Sequence, residues 1–65
     1  MSGDDLKAAR ERLGMSRRAF ARRLGVAPRT VERWEDEVHP IDPVCERLVL
    51  ILDQKAEIER SRDRK

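Results

Sequence analysis

Gly25 and Pro28 constrain this 65-residue chain more than any other pair, because they interrupt the stretch Met15 to Glu35, MSRRAFARRLGVAPRTVERWE. Ser16 is a good N-cap, and Phe20, Ala21 and Leu24 follow at helical spacing, so a helix is expected over 17–24. Gly25 supplies the left-handed residue that ends a helix without a Cβ penalty. Val26 fills the turn. Pro28 suits the first position of a second helix, with its φ already set and no N–H to lose. Val31 and Trp34 mark the buried face of that helix over 28–36, which leaves Arg29, Thr30, Glu32 and Arg33 outside. The pattern predicts helix, glycine turn, helix, a shape that places its second helix in the major groove of a duplex.

Charge agrees with shape. Between Arg17 and Arg33 stand six arginines (17, 18, 22, 23, 29 and 33) and one acid, Glu32. A DNA duplex carries roughly one negative charge per 1.7 Å of axis, so such a surface is an electrostatic footprint for it. Five acids, Glu35, Asp36, Glu37, Asp42 and Glu46, follow with no Lys or Arg until Arg47, so the net charge of +2 understates how basic one face is. The plainer alternative is a solvated basic face on an ordinary helical hairpin. Twelve of the fifteen basic residues are Arg, which suits bidentate recognition of phosphate and guanine.

The rest of the chain is read as one small all-α domain of four helices, over about 4–13, 17–24, 28–36 and 43–60, with residues 61–65 fraying. Helix 1 is capped by Ser2 or Asp4 and closed by Gly14, and its stripe of Leu6, Ala9 and Leu13 is interrupted by Arg10. Asp42-Pro43 is a cap followed by a first-position proline, and no Gly or Pro follows it. The last helix carries two apolar stripes. Cys45, Leu48, Val49, Leu52 and Ala56 form one, Val44, Ile51 and Ile58 the other, and Leu50 lies off both. A helix apolar on two sides needs two partners, so the second stripe is the candidate homodimer interface. The loop residue His39 is a candidate phosphate contact, although a lone loop His is more often simply solvated.

Catalysis finds no support. Cys45 is the one cysteine, placed as a small hydrophobe on the inner stripe, and His39 is its one conceivable partner. No glycine-rich phosphate loop or metal-ligand cluster occurs, so neither cofactor nor metal is expected. No apolar run approaches a membrane span and MSGDDLK is unlike a signal peptide, so a cytoplasmic protein with no membrane partner is expected.

Residues from about Leu6 to Leu52 resemble the Cro/Xre-type helix-turn-helix family, which includes the lambdoid phage repressors. The matching signature is LKAARERLGMSRRAFARRLGVAPRTVERWE, with Arg10, Leu13-Gly14, Ser16, Phe20-Ala21, Gly25 and Trp34-Glu35 at the family's marked positions. The resemblance implies that Arg10 pairs with Glu35, which would resolve the interrupted stripe. It also implies that Arg17, Pro28, Arg29, Thr30 and Arg33 occupy base-facing or groove-edge positions, and that Ser16, at the start of helix 2, lies on the backbone. Arg18 and Arg22 are expected to add phosphate contacts or solvate their helix. Three departures stand out: Arg17 replaces a common Gln, Asp36-Glu37 replaces a common Asn-Gly, and helix 4 runs on where relatives often begin a fifth helix after a Gly.

The function implied is a sequence-specific regulator that binds double-stranded DNA at an inverted repeat as a homodimer, repressing its own operon, of bacterial, phage or plasmid origin. The alternative is an antitoxin or protein-interaction module, in which the last helix docks the product of a neighbouring gene.

Overall fold

The computed structural model describes residues 1–62 and places four helices among them: α1 (Gly3–Arg12), α2 (Arg17–Leu24), α3 (Pro28–Glu35) and α4 (Pro43–Arg62). The cap of α1 is Ser2, not Asp4. Its hydroxyl accepts from the Asp5 N–H at 3.1 Å, and the Asp5 carboxylate accepts from the Ser2 N–H at 3.2 Å, a closed capping box. The Ser2 backbone N–H first, and then the Ser2 hydroxyl, hold the Asp5 carboxyl below its usual range. α4 runs through Ser61 and Arg62, beyond the expected end at residue 60, because no helix breaker stands there. Residues 63–65 of the expected frayed tail lie outside the described residues.

Three successive helices end in the same way. Gly14, Gly25 and Glu37 all take left-handed backbone, at φ 67°, 76° and 60°. In each case the next residue donates its N–H back across the turn: Met15 to the Arg10 carbonyl, Val26 to that of Ala21 and Val38 to that of Arg33. This is the Schellman closure, in which a left-handed residue satisfies carbonyls that the helix end leaves unpaired. The third uses a residue with a Cβ, at a cost of about 1 kcal/mol or more. Glu37 is also anchored from outside, since its carboxylate accepts the Gly3 N–H at 3.0 Å.

Leu6, Ala9, Phe20, Ala21, Leu24, Val31, Trp34, Cys45 and Val49 make the core, with Leu13, Met15, Val26, Ile41 and Leu48 around it. Every helix contributes. Gly3 is buried where α1 meets the end of α3, and a Cβ there would collide with the Glu35 carbonyl oxygen. Arg12 clamps α1 to α4 through two bonds to Asp53, at 3.1 and 2.6 Å. Beyond that clamp α4 extends the molecule to 42 Å in length against 20 and 18 Å across. No helix among the described residues is long and apolar enough to cross a membrane.

Candidate nucleic-acid interface

The candidate surface is built on the outer faces of α2 and α3. Ser16 starts α2 by accepting the Ala19 N–H on its hydroxyl at 3.1 Å. Phe20, Ala21 and Leu24 then point inward, which forces Arg17, Arg18, Arg22 and Arg23 to the exposed side. Gly25 turns the chain, and α3 begins at Pro28 behind Ala27, which provides no side-chain cap. Val31, Trp34 and Glu35 are buried, so Pro28, Arg29, Glu32 and Arg33 are exposed while Thr30 is only half so. Arg29 and Arg33 are four residues, about 6 Å, apart along one side of α3, close enough to enter the same groove.

One buried carboxylate ties this surface to the core. The Glu35 side chain is 2% exposed, and Arg10 Nε donates to its Oε2 at 2.7 Å. Arg10 Nη2 reaches Oε1 at 3.4 Å, and Arg10 Nη1 donates to the Met15 carbonyl at 3.0 Å. Arg10 therefore binds both α3 and the segment that leads into α2. A second arginine shares the carboxylate: Arg17 Nε donates to Glu35 Oε1 at 3.1 Å, while 45% of its side chain stays exposed. That hydrogen bond strengthens the hold of Arg17 on its proton. Sequence reasoning placed Arg17 at the groove and missed this partner. The available signal was a basic residue one position after the α2 cap, facing a helix that ends in an acid.

The remaining candidates are dispersed. His39 is exposed in the α3–α4 loop. Asp36 follows Glu35 as the exposed C-cap of α3, where it would oppose a phosphate. Cys45 is buried beside Asp42, and burial first, then the nearby carboxylate, pushes its thiol above the ordinary value, away from the reactive thiolate. Val44, Ile51 and Ile58 lie outside the core at 75%, 54% and 53% exposure. Leu50 joins them at 53%, although the sequence pattern left it on neither stripe. Among the described residues, no group of three or more His, Cys, Asp or Glu could hold a metal ion.

A helix-turn-helix family model of the Cro/C1 type matches residues 6–43, more than half of the chain. The chain belongs to the Cro/Xre-type helix-turn-helix family. It is accordingly a DNA-binding transcription regulator. The matched span takes in α1 from Leu6 onward, then α2 and α3 with the turns between them, and ends as α4 begins. No curated protein and no solved structure gives a significant match.

Proposed function

We propose that this helix-turn-helix protein is a sequence-specific repressor of its own operon, acting in the cytoplasm as a homodimer on an inverted repeat. The observation that carries this reading is the exposed face of α3, where Arg29 and Arg33 stand one helical turn apart and Pro28 and Thr30 flank them. Arginine spans guanine O6 and N7 with two bonds, so the expected half-site contains guanine. Ser16, Arg18 and Arg22 at the outer edge of α2, with His39 in the α3–α4 loop, take the backbone phosphates and set register. Glu32, on the same exposed face, is available to disfavour phosphate and to accept from a cytosine amine.

Dimerisation rests on α4. Val44, Ile51 and Ile58 recur at seven-residue intervals, the repeat that keeps one seam of a helix facing a partner helix. Ile51 and Ile58 line a shallow groove of about 350 Å³ with Gln54, Lys55, Glu59 and Arg62. Two copies joined there would offer two α3 helices to half-sites about one helical turn, roughly 34 Å, apart. The second reading, an antitoxin or other protein-interaction module, is favoured by the same exposed side chains if they meet a different protein.

The test is equilibrium binding to duplexes from upstream of the gene and to shuffled duplexes, at two salt concentrations. The expected result is preferential binding to the upstream fragment that survives higher salt. Equal binding to both would defeat the sequence-specific reading. Binding to a neighbouring gene product without any binding to DNA would favour the second.

A further inference from the structure

We infer that Glu35 positions Arg17 for DNA, anchoring the guanidinium through Nε so that its two Nη groups grip a single backbone phosphate and not a base edge. This deepens the DNA-binding reading above and rests on it. Three observations lead to it. First, Glu35 does not need Arg17 for neutralisation. Arg10, whose side chain is 12% exposed, already meets both carboxylate oxygens and is itself braced on the Met15 carbonyl. Second, the hydrogen-bonded cluster holds two arginines on one carboxylate, and its exposed member is Arg17; Glu32 and Asp36 act on Arg17 by charge only, without a hydrogen bond among the described residues. Third, Arg17 is attached by Nε alone, and among the described residues its Nη groups donate to no partner.

Guanidinium is suited to such bridging because its five N–H groups form a rigid fork with two ends. One end can sit on a fixed carboxylate while the other meets a phosphate oxygen pair. A lysine ammonium carries its three donors on one atom, so bridging would force the carboxylate and the phosphate close together, and the buried, fixed carboxylate is the favoured partner. Held on Glu35 by Nε, the Arg17 head is kept at the start of α2 and not free to reach beside Arg29 and Arg33 on α3. Glu35 thus links the core pair to the backbone contact. The carboxylate that orients the end of α3 also sets where α2 meets a phosphate.

Duplex binding followed by fluorescence anisotropy over a salt series tests this with wild type, Arg17→Ala and Arg17→Lys, each also in a Glu35→Gln background, with helicity and melting checked by circular dichroism. Arg17→Ala is expected to melt close to wild type and to bind about tenfold more weakly on all sequences alike. Its log–log salt slope should fall by about 1, the loss of one phosphate contact. Arg17→Lys should bind nearly as weakly as Arg17→Ala, because Glu35 captures the ammonium. In the Glu35→Gln background the neutral amide releases it, and Lys should then exceed Ala severalfold. Arg17→Lys equal to wild type would overturn the positioning role. An unmoved salt slope in Arg17→Ala, with melting clearly lowered, would make Arg17 a structural counter-ion only. Should Glu35→Gln fail to fold, the three proteins with Glu35 intact decide the matter. Absence of any salt-sensitive duplex binding by wild type would instead remove the reading beneath the inference.

Discussion

The α2–α3 pair and α4 solve opposite problems with the same kinds of residue. In α2 and α3 every large apolar side chain is consumed by the core, and what remains outside is mainly arginine, with Glu32, Pro28 and small residues. In α4, Cys45 and Val49 are buried while Val44, Leu50, Ile51 and Ile58 stay more than half exposed. The first region is closed as a folding unit and open electrostatically. The second remains open as a packing unit, with apolar surface that folding of one copy does not cover. A close-packed helical pair offers a rigid platform for a groove, whereas an unsaturated helix offers a surface for another polypeptide.

The most damaging way to break this division is to remove the junction beneath α2 and α3. Arg10→Ala leaves Glu35 buried with only the half-exposed Arg17 for company, and is expected to cost about 3 kcal/mol or more in urea unfolding. An unchanged unfolding midpoint would remove the Arg10–Glu35 pair from any structural role. Gly3→Ala comes next, since its methyl group runs into the Glu35 carbonyl and α1 must shift; a loss of about 1–3 kcal/mol is expected. Gly25→Ala sharpens the contrast between two kinds of glycine. A Cβ at Gly25 meets nothing within 4 Å, so only its φ of 76° resists the change, and the expected loss is about 1 kcal/mol.

On the other side of the comparison, Ile51→Lys should leave the thermal midpoint of dilute protein nearly unmoved, because the side chain is already 54% exposed. It should abolish dimers in sedimentation equilibrium, since the symmetric contact would bring like charges together. A dimer that survives Ile51→Lys would place the interface elsewhere. The smallest effect is expected at the clamp between the two regions. Asp53 is held below its ordinary value of 3.8, first by the hydrogen bonds from Arg12 and then by that residue's charge. A carboxyl lowered on folding stabilises the native state above its unfolded value and loses that contribution as pH falls through its folded value. About half of the Arg12 side chain is exposed, so Arg12→Ala should lower the urea midpoint only slightly at neutral pH. That difference should vanish when both proteins are unfolded by urea well below pH 3.8.

What was legible in the chain beforehand follows from how local each signal is. Ser16, Gly25, Pro28 and the Asp42-Pro43 start of α4 act on their own neighbours within a turn, so residue type alone placed them. The exposure of Val44, Ile51 and Ile58 was legible from periodicity, because the inner stripe of α4 could point only one way. Gly3 was not legible, since its need for a missing Cβ comes from Glu35, brought close only by the fold. Glu37 is marked in the sequence only as standing where relatives commonly have Gly, and the Gly3 N–H that anchors it is hidden by 34 residues of separation. The attachment of Arg17 to Glu35 joins residues 18 apart and was obscured by a simpler expectation, that an arginine on a basic helix reaches for DNA.

The division of labour between the two regions is tested most directly by amide chemical shifts of the labelled protein, titrated with its duplex and, separately, diluted without it. DNA is expected to move the amides of residues 16–18 and 29–33 while leaving those flanking Ile51 and Ile58 in place, and dilution is expected to do the reverse. Shifts on DNA binding concentrated along α4, with 29–33 unmoved, would contradict this division.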